Sequence, residues 1–553
     1  GTLANGAGTT IDLAGVLVVG LQSETNTGTG GDRVLLNSGT ITDEVETTHY
    51  QNSDGLGGLL VPVTTTYING TGPVNRYSDG TLNNDSGAKA RTSLQMIGYS
   101  EMGATPISIT RTPGTGVWDV ANNRWQSRSG GGYVGYKIGL LLSHEDNDSS
   151  NNYLLQNAGK ISFGGTNSIG IQIEADGSPD TKVQASNSNE ITLGGDNSYG
   201  IKLSSRVAEL TGTQKIVDNI GAITIGGERS AGIAVIEEAR NATNELIRAY
   251  TDKVVNSRKI DVNGSYSSGM LLKINAPDNI VNEAGGTINV NGHHNIGMRV
   301  DKGSVTTNAT GDPSAVNKSN IVVKGTANIG MVSNGASKAQ NNTGGTITLT
   351  GTTGNSAGMY ATGGGTVENI GGTGTNKGTI TGSGLKNTTG ISVDAGSTGT
   401  SAGDINLSGS IIAGVYNAGT FTMTGGNVTT NGTGASIYAK GTVNTNINAG
   451  TITSFGGSVG LFANETSTIN LGTAATAPTL VTNSGGLMFY NNPTSSAGAQ
   501  TNKFNLLHDV SGTVTSGGLA FYLKNVNDAT QLGTALDNMI LNKDLILSLK
   551  KSV

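Results

Sequence analysis

Trp118 and Trp125 lie in a stretch whose side chains could bind a ligand, VWDVANNRWQSRSGGGYVGYK, residues 117–137. Aromatic faces beside amide and guanidinium donors suit sugar rings, which offer C–H faces and hydroxyl edges. Trp, Tyr and Arg are also the side chains enriched in protein–protein hot spots. The alternative interpretation is that these rings form the small core of an inserted subdomain. The predicted ligand-binding residues are Trp118, Trp125, Arg124, Arg128, Tyr133 and Tyr136.

Two short motifs resemble cofactor-binding or catalytic signatures, but their surroundings argue against both. GGGYVG, residues 130–135, has the GxGxxG spacing of a dinucleotide-binding turn, which needs a strand before it and a helix after it. The strand-like YKIGLLL follows it instead. GTSAGD, residues 399–404, is similar to the surroundings of the serine in subtilisin-type proteases, yet no matching Asp or His motif precedes it. We therefore predict no catalytic residue and no cofactor.

Metal binding and acid–base catalysis would need clustered ligands or paired carboxylates. His293 and His294 fall in a variable turn of a repeat, and the acidic run HEDNDSSNN, residues 144–152, lacks the spacing of a calcium-binding EF-hand loop. We predict no metal site. A polysaccharide-cleaving enzyme with carboxylates on one face stays an alternative function. The acidic residues of the repeats are spread singly, as in Glu174, Asp196, Glu228 and Asp394.

Most of the chain repeats one pattern, which must position any such residues. NEITLGGDNSYGIKL, residues 189–203, resembles GKISFGGTNSIGIQI, residues 159–173, and GTINVNGHHNIGMRV, residues 286–300. Each copy has two short apolar-x-apolar segments joined by a Gly/Asn turn, with a glycine in the second segment. The copies recur about every 29 residues, a period typical of solenoids. The aligned glycines are Gly170, Gly200, Gly232, Gly269, Gly297, Gly330, Gly358, Gly390 and Gly414, with looser copies at Gly434, Gly460, Gly486 and Gly518.

The repeat predicts an all-β fold, a right-handed parallel β-helix in which each strand pairs with its equivalent one coil away. One unit has too little apolar surface to fold alone, whereas stacked units bury a continuous core. In the copy at residues 189–203, we expect Ile191, Leu193, Ile201 and Leu203 to point inward. Variable residues between copies become external loops.

Three segments depart from the period: residues 40–157, 236–258 and 526–553. Residues 1–39 are expected to form the first coils. Residues 40–157 are expected to form a non-repeating, aromatic-rich insertion. Residues 158–525 carry the main repeats, interrupted at 236–258 by a predicted amphipathic helix with apolar residues at helical spacing. Residues 526–553 are expected to form a helical cap or the start of a continuing segment.

Composition excludes several classes of partner. The net charge is −6, with charged residues at 13%, so no basic face is expected for nucleic acid. The chain has no cysteine, which excludes disulfides and thiolate metal sites. No apolar run approaches the roughly 18 residues of a membrane-spanning helix. Glycine contributes 87 of 553 residues, more than twice the usual share of about 7%.

The repeats resemble the passenger region of type V autotransporters, above all the large fusobacterial outer-membrane adhesins. The resemblance rests on GTINVNGHHNIGMRV, on GTITLTGTTGNSAGMYA at residues 345–361, on GTFTMTGGNVTTNGTGASIYA at residues 419–439, and on linkers such as NSGTIT and NKGTIT. It covers residues 159–525, about two-thirds of the chain. It implies a secreted β-helix on the cell surface, used for attachment to other bacteria or host cells, and a C-terminal translocator barrel. No such barrel is recognisable here, so we expect a passenger fragment.

These observations favour an adhesin: an extracellular, monomeric passenger that binds surface glycans or receptors of host cells or other bacteria. Many weak contacts would gain strength from effective concentration. The membrane would be reached only through the translocator. The alternatives are the polysaccharide-cleaving enzyme and a structural stalk whose binding part lies outside this segment.

Overall fold

The fold was determined from a computed structural model of the 553-residue chain. The structure describes residues 1–13, 17–25, 30–43, 136–144, 150–164, 167–175, 181–204, 207–210, 214–236, 250–303, 311–441, 443–464, 466–492, 503–523 and 527–549. Between residues 43 and 136 it describes only six short strands. Two compact units are present, one mainly residues 1–281 and the other mainly residues 314–553.

Each unit is a parallel β-helix whose coils contain three strands, called here the first, second and third strand. Strands at equivalent positions of successive coils pair in parallel; Ile191, for example, lies in register with Ile161 on one side and Ile223 on the other. Ile191, Leu193, Ile201 and Leu203 are all fully buried, which confirms their predicted inward orientation.

In the unit that begins the chain, the first strands are Thr2–Asn5, Gly31–Asn37, Asn151–Asn157, Lys182–Asn187, Val217–Asn219 and Val254–Asn256. The second strands are Thr10–Asp12, Thr40–Thr42, Lys160–Phe163, Glu190–Leu193, Ala222–Ile225 and Lys259–Val262. The third strands are Leu17–Glu24, Tyr136–His144, Ser168–Ala175, Tyr199–Leu203, Ala231–Ile236 and Ser268–Ile274. The strands Asn279–Asn282 and Thr287–Val290 have residues in both units.

In the other unit, the first strands are Ser314–Asn317, Lys338–Asn341, Thr366–Asn369, Thr398–Ser401, Thr420–Met423, Asn444–Ile447, Thr468–Leu471, Lys503–Leu506 and Ile540–Leu541. The second strands are Asn320–Thr326, Thr346–Gly354, Thr451–Phe455, Thr479–Thr482, Val510–Val514 and Leu545–Leu549. The third strands are Ile296–Lys302, Ile329–Asn334, Ser356–Thr362, Ser458–Asn464, Leu487–Asn492 and Leu519–Leu523. Continuous strands combine the second and third positions at Thr379–Val393, Asp404–Asn417 and Asn427–Lys440.

A row of buried asparagines ends the first strands and ties one coil to the next. In the unit that begins the chain, the amide of Asn157 donates to Asn187 Oδ1 at 2.8 Å, and Asn187 donates to Asn219 Oδ1 at 2.9 Å. In the other unit, Asn317 donates to Asn341 at 2.9 Å and Asn341 to Asn369 at 3.0 Å. Each amide also donates to a backbone carbonyl, so these buried polar groups are satisfied.

The glycines of the third strands are required by close packing between coils. A Cβ at Gly200 would lie 2.4 Å from the carbonyl oxygen of Gly232 in the next coil. The row begins earlier than predicted, at Gly20 and Gly139. At its other end, three of the four looser copies predicted from sequence are wrong. Register places Ser436 opposite Gly414, so Gly434 is not an equivalent position. Gly486 and Gly518 also lie outside the row, because Met488 is the residue in register with Gly460.

The predicted insertion at residues 40–157 is wrong at both boundaries. Residues 40–42 form the second strand of a coil, and the third strand of that coil is Tyr136–His144, which pairs with Leu17–Glu24 and Ser168–Ala175. The excursion therefore occupies residues 44–135 of a single coil. Tyr153 is 1% exposed in the next first strand, where it fills the core.

Inside this excursion, the described strands form antiparallel ribbons. They pair Thr48–Asn52 with Leu60–Thr64, Thr66–Ile68 with Gly72–Val74, and Gly116–Asp119 with Arg124–Ser127. Residues 1–39, predicted as coils, do contribute coil strands, which continue through residue 42.

The predicted helix at residues 236–258 is wrong at its ends. Ile236 closes a third strand, and Val254–Asn256 form a first strand with Val254 fully buried. Val254 is apolar because it faces the core of a coil, as Val217 does one coil away. Residues 237–249 lie outside the described residues. Near the end of the chain, the helix Ala529–Met539 begins at Asp528, whose carboxylate accepts from Gln531 N at 2.8 Å, and two further strands follow it.

Candidate ligand-binding groove

The residues predicted to bind ligand from sequence are only partly described. Trp118 and Trp125 lie opposite each other in an antiparallel ribbon, and Arg124 lies opposite Asp119. Tyr136 belongs instead to a solenoid strand, in register with Leu17. Arg128 and Tyr133 lie outside the described residues, as does the GGGYVG motif. Tyr136 thus belongs to a different sheet from the ribbon, and the binding role of this set stays a prediction.

A second group of aromatic residues forms a continuous stack on the third strands of the unit that contains residues 314–553. Register aligns them one per coil, because each lies two residues after the position of the glycine row, where side chains point outward. We call this set the aromatic ladder: Tyr416, Tyr438, Phe462, Tyr490 and Tyr522.

The rings of the aromatic ladder are stacked face to face. Successive ring centroids are 5.2, 4.7, 4.3 and 4.8 Å apart, and the planes are within 22° of parallel. Parallel strands are spaced by about 4.8 Å, so in-register aromatic residues reach stacking distance without adjustment. Tyr522 is 48% exposed. The Tyr438 hydroxyl accepts a hydrogen bond from the Asn464 amide at 2.8 Å.

A groove of about 460 Å³ runs beside the ladder. Its lining comes from five successive coils: Asn387, Thr389, Ile411, Ile412, Ala413, Tyr416, Gly434, Ala435, Tyr438, Gly457, Val459, Phe462 and Tyr490. Ala413, Ala435 and Val459 share one register column. The lining includes no charged side chain. Apolar side chains with a few polar groups at the rim are typical of ligand pockets.

Two phenols near the groove, those of Tyr490 and Tyr360, have a raised pKa. Burial raises the pKa of Tyr490, and the neighbouring Tyr522 raises it further. Burial also raises the pKa of Tyr360, and so does the hydrogen bond that its hydroxyl donates to Asp394 Oδ2. At neutral pH the Tyr490 hydroxyl therefore keeps its proton and can donate a hydrogen bond, whereas the Tyr360 hydroxyl already donates to Asp394.

The ladder is interrupted at one coil. Tyr360 occupies the ladder position two coils from Tyr416, and Ser392 holds the position between them. The ring of Tyr416 therefore has a serine, rather than an aromatic ring, as its neighbour on that side. The interruption marks one end of the groove, where Asn387 and Thr389 supply polar groups.

In the unit that begins the chain, the same outward face is exposed at Gln22 in the first coil and buried in the next five coils. Residues at the ladder position there include Leu141, Gln172, Lys202, Ala234 and Leu271, all less than 5% exposed. Ile138, Ile169 and Tyr199 join several of them in one apolar cluster. Among the described residues, a ladder of partly exposed rings is thus a feature of the unit containing residues 314–553.

Sequence reasoning did not single out the aromatic ladder, although its signal was present. GVYN, SIYA, GLFA, MFYN and AFYL place an aromatic residue at the same position of five consecutive repeats. The residues are separated by 22 or more positions, so a search for local clusters selects residues 117–137 instead.

The other motifs acquire structural roles. Ser401 of GTSAGD is fully buried in a first strand, and its hydroxyl accepts from Asn369 at the end of the asparagine row, which leaves no exposed nucleophile. The Asp196 carboxylate accepts a hydrogen bond from the backbone N–H of Glu228 at the equivalent turn of the next coil. The Nδ1 atoms of His293 and His294 are 3.1 Å apart at an exposed corner. No cluster of three or more metal-ligating side chains occurs among the described residues.

Within the part of the chain that the structure describes, no helix combines the length and apolar character needed to cross a bilayer. Comparison with protein-family models, curated proteins and solved structures gave no match for this chain.

Proposed function

We propose that this chain is the adhesive passenger of a type V autotransporter, exposed outside the outer membrane, and that it attaches to surface glycans or receptors of host cells or other bacteria through the groove beside the aromatic ladder. The observation that carries this proposal is the row of stacked, solvent-accessible rings along an uncharged groove. Aromatic side chains supply large contact areas with little loss of conformational entropy, which makes them frequent binding hot spots.

A structural role for the ladder is the second candidate, and one observation favours it. The rings stack on one another at 4.3–5.2 Å, so they contribute cross-strand stabilisation even without a ligand. The chain would then be a stalk whose binding part lies elsewhere. If the groove is adhesive, a variant that lacks the rings but keeps a folded solenoid loses attachment. If the chain is a stalk, the parent chain does not attach either.

The test is attachment of particles coated with the purified chain to host cells and to partner bacteria. The double variant Tyr438→Ser/Phe462→Ser removes the centre of the ladder, and Tyr266→Ser is the matched control, because Tyr266 is 53% exposed and outside the ladder. A third protein replaces residues 44–135 with a short linker. Loss of attachment in the ladder variant alone supports the groove. Loss of attachment in the linker variant alone would show that the excursion at residues 44–135 binds. If none of the proteins attaches, the result supports the stalk.

A further inference from the structure

The groove has a geometry and chemistry that suit one class of protein ligand. We propose that it binds an uncharged, proline-rich segment of a partner protein in the extended polyproline II conformation. This inference rests on the proposed function, because it names the partner class of the same site.

The first argument is the axial repeat. Coils are spaced by about 4.8 Å, so every second coil presents equivalent side chains about 9.6 Å apart. A polyproline II helix rises about 3.1 Å per residue with three residues per turn, a repeat of about 9.3 Å. Every third residue of such a segment would meet the same surroundings in alternate coils. The lining spans five coils, and the four spacings between them add up to about 19 Å. This length equals that of about six residues of a polyproline II helix.

The second argument is hydrogen bonding. Ala413, Ala435 and Val459 form an apolar column with no acceptor in their side chains. A sugar would bring several hydroxyls against this column, and an ordinary extended peptide would bring backbone N–H groups, each costly to bury without a partner. Proline has no N–H. Its carbonyls, free in polyproline II, can accept from the phenol hydroxyls of the ladder, and aromatic-lined grooves are the usual sites for such segments.

The third argument is a strained, exposed residue at the rim. Ile411 has a φ of +55° and is 69% exposed, while the equivalent corner of the preceding coil is Asn387, a residue type that tolerates the left-handed region. A β-branched residue at positive φ is unfavourable, and an exposed apolar side chain adds nothing to the core. Ile411 lines the groove, where a bound apolar segment would cover it.

The test is titration of the full chain with a fluorescent ten-residue polyproline peptide, a Gly/Ser peptide of the same length and a neutral linear oligosaccharide. We expect saturable binding of polyproline only. Tyr438→Ser/Phe462→Ser should weaken it by at least about tenfold, as for hot-spot aromatics. Ile411→Asn should weaken binding while raising the melting temperature, a combination that loss of folding would not produce. Tyr266→Ser should leave binding unchanged.

The outcomes separate this inference from the proposed function. The inference is overturned if polyproline fails to bind the parent chain. It is also overturned if the Ile411→Asn variant and the ladder variant both bind polyproline as tightly as the parent chain does. If coated particles attach to cells and the oligosaccharide competes but polyproline does not, the inference is overturned and the adhesin proposal stands. If polyproline binds in the groove but particles attach to no cell, the adhesin proposal fails and the peptide site stands.

Discussion

Lys137 Nζ lies 3.9 Å from Asp43 Oδ2, and this ion pair joins the two ends of the excursion at residues 44–135. Both side chains are mostly buried, and Asp43 also accepts from the backbone N–H of Gly164 at 2.8 Å. The excursion thus leaves and re-enters the solenoid at a fixed base. The coils on either side of the excursion keep their register, because Tyr136–His144 pairs with Leu17–Glu24 and with Ser168–Ala175.

Asp43→Ala should lower the free energy of unfolding by about 2 kcal/mol, because it leaves a buried cation without this partner and a buried N–H without its acceptor. Urea denaturation measures the change. Glu190→Gln is the control, since both side chains of the Lys160–Glu190 pair at 3.4 Å are nearly half exposed and the pair is expected to contribute about 0–1 kcal/mol. Equal effects of the two substitutions would contradict the assignment of Asp43 as the base of the excursion.

Asn187→Ala should destabilise the chain by about 3 kcal/mol, since it removes one bond accepted from Asn157 and two that Asn187 donates, and leaves buried groups unsatisfied. The matched control is Asn189→Ala, at an exposed turn position two residues away, with an expected change within about 0.5 kcal/mol. Thermal or urea unfolding compares them. A change at Asn187 no larger than at Asn189 would show that the asparagine row does not stabilise the stack.

Gly200→Ala should destabilise by about 1–3 kcal/mol or more, because its Cβ would meet the Gly232 carbonyl at 2.4 Å and an Ile223 methyl at 2.8 Å. Gly533→Ala is a control of opposite sign. Gly533 lies within the helix Ala529–Met539 with no atom within 4 Å of an added Cβ, so alanine should stabilise by about 0.5–1 kcal/mol. Unfolding curves of both variants measure this contrast, and stabilisation by Gly200→Ala would refute the close approach of the coils.

Asp394→Asn should lower the pKa of Tyr360, because the carboxylate both accepts the Tyr360 hydroxyl and repels the phenolate. Thr362→Val should raise that pKa, since the Thr362 hydroxyl favours the ionised form. Because folding raises the pKa of Tyr360, the neutral phenol contributes to the free energy of unfolding. This contribution is fully present below pH 10.0, the ordinary pKa of tyrosine, and is lost as the pH rises from there through the folded-state pKa. Nuclear magnetic resonance of labelled tyrosine measures both shifts, and shifts of the same sign would contradict the contact.

The architecture could be predicted because its cause is local and repeated. Inward residues such as Ile191 and Leu193 follow a period of two, and the glycine of each third strand marks where coils approach closely. The boundary at residue 136 was missed because aromatic Tyr136 and the following acidic run obscured YKIGLLL, which carries the same glycine, Gly139.

The candidate site was harder to foresee because it is a property of register. Tyr416 and Tyr438 become neighbours only once Val415 is known to pair with Ile437. Apolar spacing at residues 236–258 placed the ends of the predicted helix wrongly for a related reason. Val254 is apolar because it faces the core of a β-helix coil, and Tyr250 lies just before that strand. Both side chains are buried.

The central claim is that the groove beside the ladder touches the ligand. The most direct measurement places a photo-cross-linking phenylalanine analogue at Phe462, at Tyr266 or at Trp118, irradiates each protein on cells and identifies cross-linked surface molecules. We expect cross-links from position 462 and none from position 266. Cross-links from position 118 alone, or from none of the three positions while the protein stays attached, would contradict the claim.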